Sequence, residues 1–466
     1  MNMKKLLACA FLGICAVSGV KAQTQMLLPY NDLAFQSSWA NAAVRPMHRF
    51  SIGVPVLSSI EVGAINNAFS LRSVSELRGS TRFLLPDKLS SEMRNYKTSQ
   101  EYFEFGVDIL HFRMAWRRWF FWFGWRNQTT QSLVYPTELV RLGVEGNKWL
   151  IGNRLDMNDL RFDVTSYNEI TLGASHPYED WIFGGRVSLL GGSFNGNLVA
   201  DNLGLSISED QERRFAHLID HKGVLRTSGL PIKKGRPELP DYTKTSTYVN
   251  FTNPGFALSG AATYILPQNN RFRFTFAFTD LGMIHWGQDL GQAKLKEDQS
   301  WVMGLSGFNT ILFRRKMDWG FLSGKNFKKQ FNMEFDEEHT KGESYNTWLS
   351  PKFYLMGTYR LARQTHAGLS AAMTIHEGQV YPSFTASIQQ GYSALVSGQL
   401  AVSYNQRSFL NVGGALVFSP GAYQFYLISD NLYGMLNPID LKATNLRIGM
   451  NIVIGPLYPN SQLTQK

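Results

Sequence analysis

The chain has 466 residues, of which 44% are hydrophobic and 18% charged, and its formal net charge is +10. After the first 22 residues its longest unbroken apolar run is Trp119–Trp125, far shorter than the roughly 20 residues that a membrane-spanning helix needs. The sequence therefore excludes a helical membrane protein. The only cysteines are Cys9 and Cys15, which excludes a disulfide-rich domain. Because the basic excess is spread along the chain, we interpret it as a surface property and expect no nucleic-acid partner.

Met1–Ala22 has the parts of a secretory signal peptide. Two lysines precede the apolar core Leu6–Val17, and Val20–Ala22 supplies small residues for cleavage. We expect a Sec-exported protein whose mature chain begins at Gln23, with the loss of three lysines lowering the formal charge from +10 to +7. The alternative is a lipoprotein attached through Cys15.

Gln23–His48 is polar and irregular, and we expect it to form a periplasmic or plug-like segment before the first predicted strand, Arg49–Val56. Further strands follow it. Up to residue 191 these are predicted at Tyr102–Met114, Ala115–Asn127, Glu138–Gly146, Tyr167–Ser175 and Phe183–Gly191.

The predicted strand Ala115–Asn127 is rich in tryptophan and arginine. This combination is typical of a membrane interface, where the indole lies at headgroup depth and the guanidinium reaches phosphate. Ordinary packing and a stacking platform for a sugar or base are the alternatives. The predicted interface aromatics are Trp116, Trp119, Trp122 and Trp125, with Arg117, Arg118 and Arg126 beside them.

A break in the strands is predicted at Ser208–Lys222, where Ser208 and Gln211 form a capping box for a short helix. On that helix His217 and His221 would share one face, which is the spacing of a zinc pair. No third ligand follows at a specific spacing. We therefore predict no metal site and no cofactor.

Two polar stretches, Lys222–Thr245 and Arg314–Glu343, are predicted to be long loops. Between them, Phe256–Leu266 and Arg271–Asp280 are predicted to form a hairpin, which is followed by a strand at Trp301–Phe313. In the second arm of the hairpin, four phenylalanines face one side and two arginines the other. This arrangement fits lipid outside and a wet lumen inside.

The last quarter of the chain, Phe353–Gly455, is a succession of short two-faced strands, such as the one in which Leu446 and Ile448 alternate with Asn445 and Arg447. A soluble sandwich or lipocalin with an inward apolar face would show the same alternation. Strands of this length can also cross a bilayer when tilted. Because a signal segment precedes them and no linker divides them, we predict an all-β fold, a transmembrane antiparallel β-barrel of about 14 strands, alternatively 16, with long polar loops. The barrel would span 49–455, with a C-terminal tail at 456–466.

Several segments together resemble a Bacteroidota outer-membrane family catalogued as domain of unknown function 5723, itself similar to the long-chain fatty-acid transporter and to PorV-like barrels. They are Asn253–Ala257, Phe278–Trp286, Trp348–Phe353, Gly357–Tyr359, Phe425–Leu432 and Asn445–Gly455. The resemblance covers most of the mature chain and implies an outer-membrane barrel. The chain departs from the family at Asn41-Ala42-Ala43, which lacks a proline, and Arg314–Glu343 does not align.

Two functional hypotheses follow from this resemblance. In the first, a hydrophobic or amphipathic solute passes through the lumen of a barrel embedded in outer-membrane lipid. In the second, the barrel is a PorV-like scaffold or shuttle for secreted or surface partners, which contact the polar loops. We predict no enzyme, because no catalytic motif stands out, and an outer-membrane lipase is a third, weaker hypothesis. The side chains predicted to face the lumen are Asp280, for which a turn-forming role is the alternative, His366, His376 and Arg447.

Overall fold

The structure is a computed structural model that describes residues 27, 34–44, 48–70, 72–78, 81–145, 148–209, 215–230, 232–233, 236–237, 250–268, 270–295, 299–303, 337–376, 379–391, 395–405, 409–437 and 443–456. Most of these residues are in strands. In the first half of the chain the strands are β1 (His48–Gly53), β2 (Ile60–Asn66), β3 (Ser75–Arg78), β4 (Thr81–Leu84), β5 (Thr98–Trp116), β6 (Trp119–Pro136), β7 (Arg154–Asp156), β8 (Arg161–Tyr178), β9 (Trp181–Glu209), β10 (Phe215–Ser228), β11 (Ile232–Lys233) and β12 (Arg236–Pro237). In the second half they are β13 (Asn253–Ile265), β14 (Phe272–Trp286), β15 (Gly291–Leu295), β16 (Gln299–Met303), β17 (Glu337–Lys341), β18 (Tyr345–Trp348), β19 (Lys352–Ala362), β20 (Thr365–His376), β21 (Gln379–Gly391), β22 (Val396–Asn405), β23 (Phe409–Phe418), β24 (Tyr423–Ser429) and β25 (Ala443–Pro456).

Helices in the described ranges are few and short. The 3-10 helices are Phe35–Trp39 and Lys148–Leu150, and the α-helices are Pro86–Met93, Glu138–Glu145 and Leu432–Leu436. None of these helices is long and apolar enough to cross a membrane.

Fourteen strand positions close into an antiparallel barrel. β1 and β2 lie end to end at the first position, because both pair with β5 and with β25. β18 and β19 likewise share one position beside β14. Pairing of the last strand with the first leaves the wall without an open seam, which is how a barrel satisfies its strand edges. The predicted barrel of 14 strands is confirmed, and the alternative of 16 is wrong.

Large apolar side chains cover the outside of the barrel. The exposed fractions of Phe272, Phe274 and Phe276 in β14 are 38%, 53% and 46%, and that of Leu369 in β20 is 68%. The residues between them on each strand face the lumen. An exposed apolar surface of this extent is typical of contact with lipid. The structure therefore has the predicted orientation, with the apolar face outward.

Short turns join the strands at one end of the barrel, for example between β5 and β6 and between β8 and β9. Longer connections lie at the other end, where β9 extends beyond its barrel neighbours and pairs with β10 and β7. β10 in turn pairs with β15 and β16. A small sheet thus projects from the long-loop end of the barrel.

One predicted strand is wrong, because Glu138–Gly146 is helical as far as Glu145. Leu139 and Leu142 lie three residues apart and pack against the same apolar cluster. Arg141 reaches Glu145 one turn later, at 2.7 Å. These spacings are helical, and a search for period-two alternation misses them.

The predicted helix at Ser208–Lys222 is also wrong. β9 continues to Glu209, and β10 begins at Phe215 and pairs with it. The extended edge of β9 offers backbone partners, and this pairing outweighs a weak local preference for helix. On a strand, His217 and His221 are about 13 Å apart along the chain, so the zinc-pair spacing is lost. Among the described residues, no three potential ligands come together as a metal site.

Both predicted loops are described only in part. Lys222–Thr245 begins inside β10 and continues into the hairpin of β11 and β12, and residues 238–249 lie outside the described residues. Residues 304–336, which include most of Arg314–Glu343 and of Trp301–Phe313, also lie outside them. β17 follows this stretch and pairs with β15.

Outside the barrel wall, the first two α-helices are joined through Glu145. Its carboxylate accepts hydrogen bonds from the Ser90 hydroxyl, from Arg141 at 2.7 Å and from Arg94 at 2.5 Å. Burial raises the pKa of Glu145, but the hydrogen bonds have the larger combined effect and lower this pKa to about 2. Because the folded-state pKa is depressed, this contact stabilises the helix pair above about pH 4 and is lost as the pH falls towards 2.

Replacing Glu145 by glutamine is expected to loosen the helix pair at pH 7 by about 1 kcal/mol, since solvent screens the exposed Arg94. Lowering the pH of the wild type towards 2 should have the same effect. Hydrogen exchange over residues 86–94 and 138–145, corrected for its intrinsic pH dependence, measures both. Glu138→Gln is the matched control, because Glu138 is exposed. Unchanged protection in Glu145→Gln would contradict the assignment.

Candidate lumenal site

Residues 34–44, called the lumenal segment below, lie inside the barrel. All of them are buried, and their side-chain contacts are with the inward-facing positions of the wall. Phe35–Trp39 forms a 3-10 turn, and the segment pairs with none of the described strands. Leu27 is also buried, and its N–H donates to Asp430 at 2.9 Å. The segment is therefore held in the lumen by side chains and not by strand pairing.

Trp39 contacts the wall through both its indole ring and its backbone. Its Nε1 donates to Asp108 at 3.2 Å. The guanidinium carbons of Arg126 and Arg186 lie 4.3 and 5.2 Å from the indole centre, which is cation–π distance. Arg186 also donates to the Trp39 carbonyl oxygen at 2.8 Å. Two arginines and one aspartate thus fix both the ring and the backbone of this residue.

Two residues of β5 hold Phe35 and Val44, which lie near the two ends of the segment. The Phe35 ring stacks on His111 with centroids 4.2 Å apart. Arg113 donates to the carbonyl oxygens of Phe35 at 3.0 Å and of Val44 at 3.1 Å. Because Arg113 is 2% exposed, its charge depends on these carbonyl oxygens for solvation, and they tie both ends of the lumenal segment to one strand.

Gln36 binds the wall where the first barrel strand is interrupted. Between β1 and β2 the chain loops outward through Val56, whose φ is 67°, so that Ser58 comes to face Gln36. The Gln36 amide donates to the Ser58 carbonyl oxygen and to Asn451, each at 2.8 Å. The interruption therefore supplies an acceptor for the lumenal segment at the seam between the first and last strands.

Two wall glycines allow the segment to approach closely. A Cβ at Gly124 would lie 2.6 Å from the Trp39 ring, and one at Gly184 would lie 2.0 Å from the carbonyl oxygen of Ala42. Any larger residue at these positions would displace the segment. The wall is thus shaped to fit residues 34–44.

A set of buried ionisable side chains, called the charged belt below, surrounds the lumenal segment. Its acids are Glu61, Glu104, Asp108, Glu169 and Asp280, and its bases are Arg113, Arg126, Arg186, Lys352 and Arg447. Each is at most 8% exposed, except Asp280, whose side chain is 13% exposed. The equal numbers of acids and bases offset the cost of burying charge.

Asp280 joins several members of the belt. It occupies an irregularity in β14 with a φ of 60°, and this positive φ turns its carboxylate inward. Its oxygens lie 2.7 Å from Arg186, 3.6 Å from Arg126 and 3.8 Å from Lys352. Arg126 also pairs with Glu169 at 2.6 Å. The network thus links β6, β8, β9, β14 and β19 across the lumen.

Apolar side chains line the lumen on both sides of the belt. Towards the short turns, one cluster contains Ala42 and Ala43 of the segment together with Trp122, Ile182, Ala261, Ile265, Ala277, Tyr354 and Met356. Towards the long loops, a second cluster contains Tyr167, Leu190, Ala257, Ile284, Trp286 and Leu349. The interior therefore contains apolar clusters at two levels, with the charged belt between them.

The four predicted lumenal residues lie on inward-facing positions at different heights. Asp280 and Arg447 belong to the charged belt, where Arg447 pairs with Glu61. His376 lies 2.7 Å from the Ser350 hydroxyl. His366, at the other end of β20, is about 33 Å along the strand from it. The two histidines do not form one site, and a ligand role for any of the four stays a prediction.

The predicted interface tryptophans divide between the two faces of the wall. Trp116 and Trp119 are 55% and 43% exposed at the β5–β6 turn, and Trp125, half-buried, has the same parity as Trp119. Trp122 is 3% exposed and packs against the lumenal segment. It lies an odd number of residues from Trp119 and so faces inward. Arg126, grouped with these residues in the sequence, also faces the lumen.

Sequence reasoning did not assign Trp39, Arg113 or Arg186 to the site. A signal for the arginines exists, because each falls on the polar face of a two-faced strand. In β5, Glu104 and Arg113 share the inward face although their spacing is odd, because the register shifts between Asp108 and Leu110. No comparable signal exists for Trp39, since its partners come from three separate strands.

Solved structures similar to this chain include toluene transporters. TbuX of Ralstonia pickettii is 9% identical, with 90% of this chain and 93% of that chain covered and a TM-score of 0.40. TodX of Pseudomonas putida is 8% identical, with coverages of 90% and 92% and a TM-score of 0.40. A FadL homologue of Pseudomonas aeruginosa is 10% identical, with coverages of 93% and 99% and a TM-score of 0.40. Similarity this distant does not identify a substrate for this chain.

No curated protein matches the chain. The model of a family of unknown function, DUF5723, matches residues 43–430. Because this range includes most of the chain and the strands from β1 to β24, the resemblance to this family is confirmed: the chain belongs to the DUF5723 family.

Proposed function

We propose that this protein resides in the outer membrane and passes hydrophobic or amphipathic solutes, with the lumenal segment as its gate. The observation that carries the proposal is the presence of apolar clusters at two levels of the lumen, one of which includes residues of the lumenal segment. An aqueous pore would have a polar interior throughout. Because the segment is held by side chains alone, it can leave its position without breaking the wall.

In this proposal the charged belt blocks the axis of the lumen while the segment is in place. A solute bound in the apolar lining leaves either past the displaced segment or laterally through the wall. Displacement has a cost, since it uncovers Arg113, Arg126 and Arg186 together. Solute binding must supply this free energy for the gate to open.

Uptake by whole cells tests the proposal. Cells that produce the protein should accumulate radiolabelled oleate or toluene several-fold faster than cells that lack it. Ala372→Glu, which adds a charge beside the apolar cluster towards the short turns, should remove most of this difference because a carboxylate there opposes an apolar solute. Ala372→Leu should preserve it. Equal uptake by producing and non-producing cells would contradict the proposal.

The scaffold hypothesis rests on a different part of the molecule, the polar stretch Lys222–Thr245, which begins in the sheet that β9 and β10 build beyond the barrel. Because Lys222–Ser228 is a strand, a deletion that tests partner binding must begin after Ser228. Pull-down with residues 230–245 deleted should then lose a partner that the full chain captures. Identical partners for both chains would remove this hypothesis.

A further inference from the structure

The outside of the wall carries a depression of about 450 Å³ near the short turns, called the outer depression below. Its sides are the aromatic residues Trp119, Phe183, Phe276 and Phe278, and its floor is formed by Ala174, Gly185, Gly260 and Ala262. Trp119, Phe183 and Phe276 are 43%, 50% and 46% exposed, so they face lipid. The depression therefore belongs to the lipid-facing surface and not to the lumen.

The floor is continuous across three strands. Ala174 in β8 pairs with Gly185 in β9, which pairs with Gly260 in β13. A Cβ at Gly185 would meet only the Ser259 carbonyl oxygen, at 3.9 Å. A Cβ at Gly260 would lie 2.8 Å from the nearest carbon of the Phe278 ring, so this ring already covers Gly260. The space above Gly185 is thus open and bounded by aromatic rings, which suits a slender apolar chain.

Two neighbouring turns of opposite charge border the depression. Arg117 and Arg118 immediately precede Trp119, and both are exposed. Glu179 and Asp180 immediately precede the strand that carries Phe183. These charges lie about 3–13 Å along the chain from Trp119 or Phe183. A basic and an acidic turn side by side complement a headgroup that carries both a phosphate and an ammonium.

We propose that the outer depression binds one phospholipid with a phosphoethanolamine headgroup. One acyl chain lies over Gly185 between Phe183 and Phe276. The phosphate is bound at Arg117 and Arg118, and the ammonium at the Glu179–Asp180 turn. Exposed indoles at headgroup depth, such as Trp119, fit this placement. The site does not depend on whether the lumen passes solutes.

Native mass spectrometry of the full chain, purified from membranes in mild detergent, tests the proposal. The probes are phosphatidylethanolamine and phosphatidylglycerol of equal chain length. Gly185→Leu fills the outer depression without a backbone clash. Ala386→Leu is the matched control, because it fills a second outer-wall depression, of about 460 Å³. Arg117→Gln with Arg118→Gln removes the phosphate contacts, and a heat-modifiable gel shift reports that each variant is folded.

The wild type should retain one phosphatidylethanolamine and bind phosphatidylglycerol more weakly. Gly185→Leu should bind phosphatidylethanolamine at least about tenfold more weakly, since its side chain takes the place of the acyl chain. Ala386→Leu should bind as the wild type does, and the double arginine variant should bind both lipids more weakly, because both carry the phosphate. Equal losses in Gly185→Leu and Ala386→Leu, or equal affinity of the wild type for both lipids, would overturn the proposal.

Discussion

Trp39→Ala is expected to convert a closed barrel into a conducting one. The substitution removes the ring that lies between Arg126 and Arg186 and the donor to Asp108. Truncating a buried tryptophan costs about 3–5 kcal/mol, and here it also leaves buried charges without their partner. A loss of this size shifts the balance between a bound and a released lumenal segment by a factor of about a hundred or more.

Planar-bilayer recording measures this effect. The wild type should show rare openings, and Trp39→Ala a sustained conductance. Trp116→Ala is the matched control, because Trp116 is 55% exposed on the outer side of the wall. This substitution should leave the conductance unchanged. The heat-modifiable gel shift should persist in both variants, since the lumenal segment pairs with none of the described strands. An intact gel shift with unchanged conductance in Trp39→Ala would rule out the segment as the gate.

Glu61→Gln is expected to cause the largest loss of barrel stability. Glu61 in β2 and Arg447 in β25 are direct cross-strand partners and form an ion pair at the seam between the first and last strands. Both are almost fully buried, at 5% exposed each. Removing one charge leaves the guanidinium buried without its carboxylate, which costs about 3–5 kcal/mol.

Urea titration followed by the gel shift measures this loss as a lower unfolding midpoint. Replacing both residues, Glu61→Leu with Arg447→Leu, should recover most of the stability, because no unpaired charge then remains. Lys97→Gln is a control at an exposed ion pair with Asp159 and should change the midpoint little. A midpoint for Glu61→Gln equal to that of the wild type would mean that the seam does not depend on this pair.

Trp39 and Glu61 stabilise two different parts of the molecule, the lumenal segment and the barrel wall. Trp39 holds the lumenal segment, and its loss should change conductance at nearly constant barrel stability. Glu61 holds the wall, and its loss should change stability whether or not the segment is bound. The charged belt contributes to both, because Asp108 receives the Trp39 hydrogen bond while its neighbours join opposite strands.

The sequence by itself determined the wall of this protein. Period-two alternation is a local property, and it identified the hairpin around Asn270, the strands of the last quarter and the outward orientation of Phe272 and Phe274. Strand length and number predicted a closed barrel of 14 or 16 strands, and the structure has 14. The local pattern predicted a strand at Glu138–Glu145, where the spacing is in fact helical. It predicted a helix where β10 lies, because it does not register the available sheet edge of β9.

Only the tertiary structure decided the contents of the lumen. Alternation tells which face Arg126, Arg186 or Asp280 occupies, but not which residue each meets, because the partners lie on strands far apart in the chain. The position of Trp39 depends on three strands at once and on the space left by Gly124. Cross-strand neighbours are set by barrel closure and register, and neither is encoded within any single segment. For that physical reason the wall could be predicted from the sequence, whereas the lumenal segment's anchors could not.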